Sequence, residues 1–167
     1  MSQVIEFFEN RVPNNSGYMI DDILMQKDYW LEAAHDWVQW IFPLQDLSNF
    51  NEDAPILTAE DIEFFKSPQG INVAANYIAG INRMLEFMGL EAHTSSGTVD
   101  IEVIDEERAT FVWAGQFNHN HLRITRMLKS MVLLGFSDYA VALYDVMSPH
   151  DVPLSARQHW VEAVNAN

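Results

Sequence analysis

The chain has 167 residues, with 49% apolar and 20% charged side chains, enough to bury a core and too apolar for a disordered segment. Twenty-four acids against nine bases leave a formal charge of -15, which argues against direct nucleic-acid binding and against docking on anionic lipid. There is no cysteine, so disulfides and thiolate chemistry are excluded.

The length predicts a single domain over 1–167. The first residues carry acids where a secretory signal needs bases, and no apolar run approaches the roughly 20 residues of a spanning helix. A cytoplasmic location without membrane insertion is therefore expected.

Residues 4–11 form a short apolar patch, and VPNNSG (12–17) is a turn cluster. The NNS at Asn14 matches a glycosylation pattern by chance in a chain without a signal. From residue 20 to 42 the pattern is helical, with one break near Lys27–Asp28. Trp30, Ala33, Ala34, Trp37, Val38 and Ile41 share one helical face, which leaves Tyr29 and Trp40 on the flank. Pro43 stops this helix, and a loop is expected over 44–57.

Thr58 and Asp61 predict a capping box for a helix over 59–66. Ser67–Pro68 then opens a helix to about Met88, with an Ile71, Ala74, Ile78, Ile81, Leu85, Met88 stripe and Gly89 as its left-handed terminator. Val99, Ile101 and Val103 alternate with acids, a strand signal. The segment is expected as a loop, or as one arm of a small hairpin whose other arm is 109–113. Helices follow over 119–136, from Ser137 to about Met147, and from a Ser155–Gln158 capping box to about Asn165. The fold class expected is all-α, with six or seven helices and an irregular or β-hairpin segment near 98–113.

The strongest functional signal is local charge. No Asp or Glu occurs between Arg108 and Ser137, while Arg108, Arg123, Arg126 and Lys129 fall inside that window with His119 and His121. A helix start offers unpaired N–H groups and the positive end of its dipole. Arginines beside it make an anion site for a phosphate or carboxylate. The competing reading has Arg123 and Arg126 paired with the chain's own acids and the neighbouring amides and imidazoles in a structural polar network. His119 and His121 diverge on a helix, and His35 has no ligand spacing with them, so no metal site is expected. No nucleophile elbow or glycine-rich phosphate loop occurs, so no catalytic residue and no cofactor are assigned.

DYWLEAAHDWVQWIFPL (28–44) resembles the "YIQWLFPL" helix of the opioid growth factor receptor conserved-region family. HNHLRITRMLKS (119–130) resembles that family's "HNNLRITRILKSL" almost residue for residue. Weaker matches lie in the same order at 54–67, 83–91 and 154–164. The acidic stretch 98–113 departs from the family's pattern, and the short sequence looks like that of a microbial or phage-like relative. The resemblance implies a helical fold. Animal members are named for binding a small opioid peptide. It carries over Gln39, Trp40, Phe42, Pro43, Asn118, His119, Asn120, Leu122, Arg123, Arg126 and Lys129 as matching positions.

The expected function is a non-enzymatic helical binding module with an anion or peptide site at the start of the 118–135 helix. Its expected residues are Gln39, Trp40, Asn118, His119, Asn120, His121, Arg123 and Arg126. The partner would be an acidic peptide, a phosphate-bearing ligand or a protein. Two alternatives stand beside it. One is an acidic nucleic-acid mimic or protein-interaction protein. The other is an enzyme acting on a phosphorylated or nucleotide substrate.

Overall fold

The first helix, α1 (Gln3–Phe8), starts where Ser2 turns extended and its hydroxyl accepts the Ile5 N–H at 3.2 Å. Its buried face is Val4, Ile5, Phe7 and Phe8. The Phe7 ring tilts against Trp40 at 5.0 Å, and Phe8 meets Phe65 and Tyr77 edge-on at 5.3 and 5.8 Å. Such offset aromatic contacts add to the area each ring buries. The computed structural model describes residues 1–49 and 51–166; Phe50, in the loop expected over 44–57, lies outside the described residues. The chain divides into two compact units, Met1–Arg83 and Met84–Asn167.

In the first unit, the turn at 12–17 is organised by buried Asn14, whose Oδ1 accepts the N–H groups of Ser16 and Tyr18 at 3.0 and 2.9 Å. The single helix expected over 20–42 is instead three: α2 (Ile20–Leu24), α3 (Asp28–Ala33) and α4 (Trp37–Ile41). The break near Lys27 falls as expected, and a second occurs at 34–36. Its cause is Trp37, whose indole N–H is shared between the carbonyls of Leu31 and Ala34, both at 3.0 Å. Those carbonyls lie at the end of α3, in its last turn and its cap. The break also rotates the expected stripe. Trp37, Val38 and Ile41 are buried, but Trp30 is half-buried and Ala33 exposed. Tyr29 is 76% exposed, whereas Trp40, expected beside it on the flank, is buried at 1%.

Helix α5 (Ala59–Lys66) has the expected capping box: Thr58 Oγ1 accepts the Asp61 N–H at 3.1 Å, and the Asp61 carboxylate accepts the Thr58 N–H at 2.9 Å. Ser67 caps a 3-10 turn, Pro68–Gly70, that leads into α6 (Ile71–Phe87). The 3.6-residue period on α6 is as expected, but its phase is turned. Val73, Tyr77, Gly80, Ile81, Met84 and Leu85 are buried, and Ile71 is 70% exposed. Tyr77 and Gly80 set this phase. Tyr77 joins the Phe8–Phe42–Phe65 rings, and a Cβ on Gly80 would stand 2.7 Å from Ile41 Cγ2.

In the second unit, Gly89 stops α6 at φ +77°, and its carbonyl accepts the N–H groups of Ile104 and Asp105 at 2.9 and 3.2 Å. Two antiparallel strands follow, β1 (Leu90–Ser95) and β2 (Thr98–Val103), in register from Leu90↔Val103 to Ser95↔Thr98. Ser96 and Gly97 connect them, both at positive φ (51° and 79°), as the right-handed twist of a two-residue hairpin demands. The hairpin therefore pairs 98–103 with the segment before it, not with 109–113. That expected arm is helix α7 (Glu106–Val112), where Asp105 accepts the Arg108 N–H at 2.9 Å and Glu106 and Glu107 oppose the dipole's positive end.

Helices α8 (Asn120–Leu133), α9 (Ser137–Met147) and α10 (Leu154–Val164) complete the unit. Gly135, at φ 92°, ends α8. Helix α9 starts at Ser137 after Phe136, with no side-chain cap, and the expected Ser155 cap is absent because Pro153 starts α10 two residues ahead of it. Helix α8 packs on α9 and α10 and buries Ile124, Met127, Leu128 and Met131. The fold is largely helical, with ten α-helices and one hairpin among the described residues. None of those helices is long and apolar enough to cross a membrane.

Candidate functional site

The eight expected site residues fall in both units. Gln39 and Trp40 are on α4 in the first. Turned so that its nitrogen faces them, the Gln39 amide donates to the carbonyls of Asp36 and His35 at 2.8 and 2.9 Å, within the break before α4. Trp40 is packed in the aromatic core, and its indole N–H finds no acceptor among the described residues.

The other six surround the start of α8, and their chemistry follows from α7. A seven-residue helix leaves its last carbonyls without intrahelical partners. Three consecutive ones, on Phe111, Val112 and Trp113, are met by side chains from the next helix. Asn118 Nδ2 donates to Phe111 at 3.0 Å, Asn120 Nδ2 to Val112 at 3.0 Å, and His121 Nε2 to Trp113 at 2.7 Å. His121 must therefore carry its proton on Nε2. The oxygens of both amides are also used. Asn118 Oδ1 accepts the Asn120 N–H at 2.9 Å, and Asn120 Oδ1 accepts from Arg123 Nη1 at 3.2 Å.

Around this core, the indole of Trp113 donates to Met88 O at 2.9 Å. The His121 carbonyl accepts from Thr125 at 3.0 Å and from the Trp160 indole at 3.3 Å. The His121 and Trp160 rings meet edge-on at 5.6 Å. Asn120, His121 and Arg123 are all buried. Asn118 and Asn120, two of the matching polar positions, and His121, where the sequence departs from the family segment, make internal hydrogen bonds.

The opposite side of α8 differs. His119, Leu122, Arg126 and Lys129 recur at intervals of three, four and three residues, so they share one face. His119 and Lys129 are exposed, Leu122 is 60% exposed and Arg126 is half-buried. The buried and exposed faces interleave along the same dozen residues, which is why sequence spacing did not separate them.

One further cluster was not anticipated. The β1–β2 register places Glu91 opposite Glu102 and His93 opposite Asp100, all on the exposed side of the hairpin. Ligand atoms of Glu91, His93 and Glu102 lie within 4.8 Å of one another. His93 Nε2 is 2.8 Å from Glu102 and 3.4 Å from Glu91. The Glu102 hydrogen bond raises the imidazole pKa above its ordinary 6.5, slight desolvation opposes this, and the charges of Glu91, Glu102 and Asp100 reinforce it. The group exists only because 98–103 pairs with 90–95.

No solved structure matches the chain. The family model of the opioid growth factor receptor (OGFr) conserved region matches residues 2–152. Opioid growth factor receptor-like protein 1 from Xenopus tropicalis is 34% identical over 139 residues, covering 81% of this chain and 26% of the relative. The opioid growth factor receptor of Mus musculus is 32% identical over 165 residues, covering 92% and 25%. The Homo sapiens receptor is 33% identical over 145 residues, covering 83% and 20%. This chain thus spans about a quarter of the curated relatives it matches. With the family model covering most of the sequence, the chain belongs to the opioid growth factor receptor conserved-region family.

Proposed function

We propose that the chain is a non-enzymatic helical binding module whose contact face is the solvent side of α8, and that it takes an acidic segment of a peptide or protein partner. The observation that carries this is the stripe His119, Leu122, Arg126 and Lys129, cationic groups around an exposed leucine, in a chain of net charge -15. Arg126 and Lys129 attract the carboxylates, and Leu122 supplies apolar contact. Asn118, Asn120, His121 and Arg123 then hold the helix rather than touch the partner, and Gln39 and Trp40 serve packing in their own unit. The relatives' names, receptors for a growth factor, support a peptide or protein as partner. At physiological salt the Debye length is about 8 Å, so distant acids on the chain are screened while the local stripe acts.

The test is fluorescence anisotropy with a labelled amphipathic peptide carrying Glu and Leu at helical spacing, against its Lys analogue. The Glu peptide is expected to bind, and the double variant Arg126→Glu, Lys129→Glu to weaken it at least about tenfold, or roughly 1.4 kcal/mol. Circular dichroism checks that the variant is folded. Equal binding of the two peptides, or an unaffected double variant, overturns the reading.

A further inference from the structure

The exposed face of the hairpin carries a second chemistry. We propose that Glu91, His93 and Glu102, with Asp100 beside them, form a binding site for a divalent transition-metal ion. The donor set is one imidazole nitrogen and two carboxylates, with ligand atoms that all lie within 4.8 Å of one another. An ion with bonds of about 2.1 Å holds neighbouring ligand atoms roughly 3.0–3.4 Å apart. The imidazole nitrogen already stands 2.8 Å from one carboxylate and 3.4 Å from the other. The two carboxylates, within 4.8 Å of each other on exposed side chains, close around a cation by side-chain rotation.

The backbone beneath is also prepared. Glu91 and Glu102 are directly paired across the two strands, as are His93 and Asp100, and alternate residues on a strand share a face. The other face is held by Leu90 and Ile101, both buried. The ligands thus project from an anchored ribbon. Asp100 offers a third carboxylate, and so a fourth ligand, at the register position opposite His93, and water completes the shell. Imidazole with carboxylates suits zinc and its first-row neighbours, whereas magnesium and calcium prefer all-oxygen shells. Bound there, the ion links β1 to β2 and offsets the charge of Glu91, Asp100 and Glu102.

Zinc chloride is the probe, added to untagged protein, with two-dimensional amide NMR as readout and isothermal titration for affinity. Chemical-shift changes are expected to centre on residues 90–103. The exposed substitution His93→Ala is expected to remove those shifts, and Glu102→Gln to weaken binding at least about tenfold. Magnesium at the same concentration is expected to leave the spectrum unchanged. Zinc affinity that survives His93→Ala, shifts centred instead on His119 or His159, or no binding at millimolar zinc would each overturn the proposal.

Discussion

Replacing Asn120 by alanine tests the network that closes α7. The side chain is wholly buried, donates to the Val112 carbonyl at 3.0 Å and accepts from the Arg123 guanidinium at 3.2 Å. Truncation removes both partners at once. A buried polar group stripped of its bond costs about 1–3 kcal/mol, more where the group is charged. The carbonyl contributes about 1 kcal/mol and the guanidinium about 2 kcal/mol, so a loss of about 3 kcal/mol is expected. For a chain of this length each kcal/mol shifts the melting midpoint by roughly 2–4 °C, so Tm should fall by about 6–12 °C. Urea titration followed by tryptophan fluorescence reads the same loss as a lower midpoint. Asn118→Ala, at a half-buried position, serves as the comparison and should cost about 1 kcal/mol. An Asn120→Ala protein within about 0.5 kcal/mol of the parent, but unable to bind the acidic peptide, would refute this account and return Asn120 to the ligand.

Two further outcomes follow from local geometry. Gly89→Ala forces a side chain into φ +77° and sets its Cβ 2.6 Å from the Asp105 carbonyl, a backbone atom that cannot swing aside. A thermal melt should register a loss of about 3 kcal/mol or more, and a loss under about 1 kcal/mol would contradict the contact. His93 should titrate above 6.5 by NMR, because the Glu102 hydrogen bond and the nearby carboxylates favour the imidazolium. The folded-state pKa is the higher one. The contribution to stability is therefore complete below pH 6.5 and disappears as pH rises through the folded value. Glu102→Gln should bring the titration back toward the ordinary value; an unchanged midpoint would show that Glu102 is not its partner.

Local rules read well where the determinant is local. The Thr58–Asp61 box, the Ser67–Pro68 start and the Gly89 stop each depend on residues within a few positions, and all three stand in the structure. The second break in 20–42 depends on an indole reaching back six residues to Leu31, which no apolar periodicity encodes. The hairpin partner was legible in Ser96–Gly97, a turn pair that accepts positive φ, but the alternation at 99–103 drew attention to the wrong side. With 109–113 read as loop or hairpin arm, the sequence shows no helix end for Asn118, Asn120 and His121 to close, and their polarity leaves a guest and an internal network both open. Once α7 is a helix, the same residues answer its open carbonyls. The cationic face of α8 was legible as composition, but its division into buried Arg123 and exposed Lys129 needed the packing on α9 and α10.

The dependence of α7 on its successor bears on how this part of the chain acquires structure. Seven residues are too few for a helix to persist alone in water. Its final carbonyls are satisfied only when Asn118, Asn120 and His121 arrive with α8. The two segments should therefore open and close as one cooperative element, with α7 amides exchanging their hydrogens in step with those of α8. A helix that owes its ending to the next one cannot drift away from it, so any partner gripping α8 also senses the integrity of its neighbour.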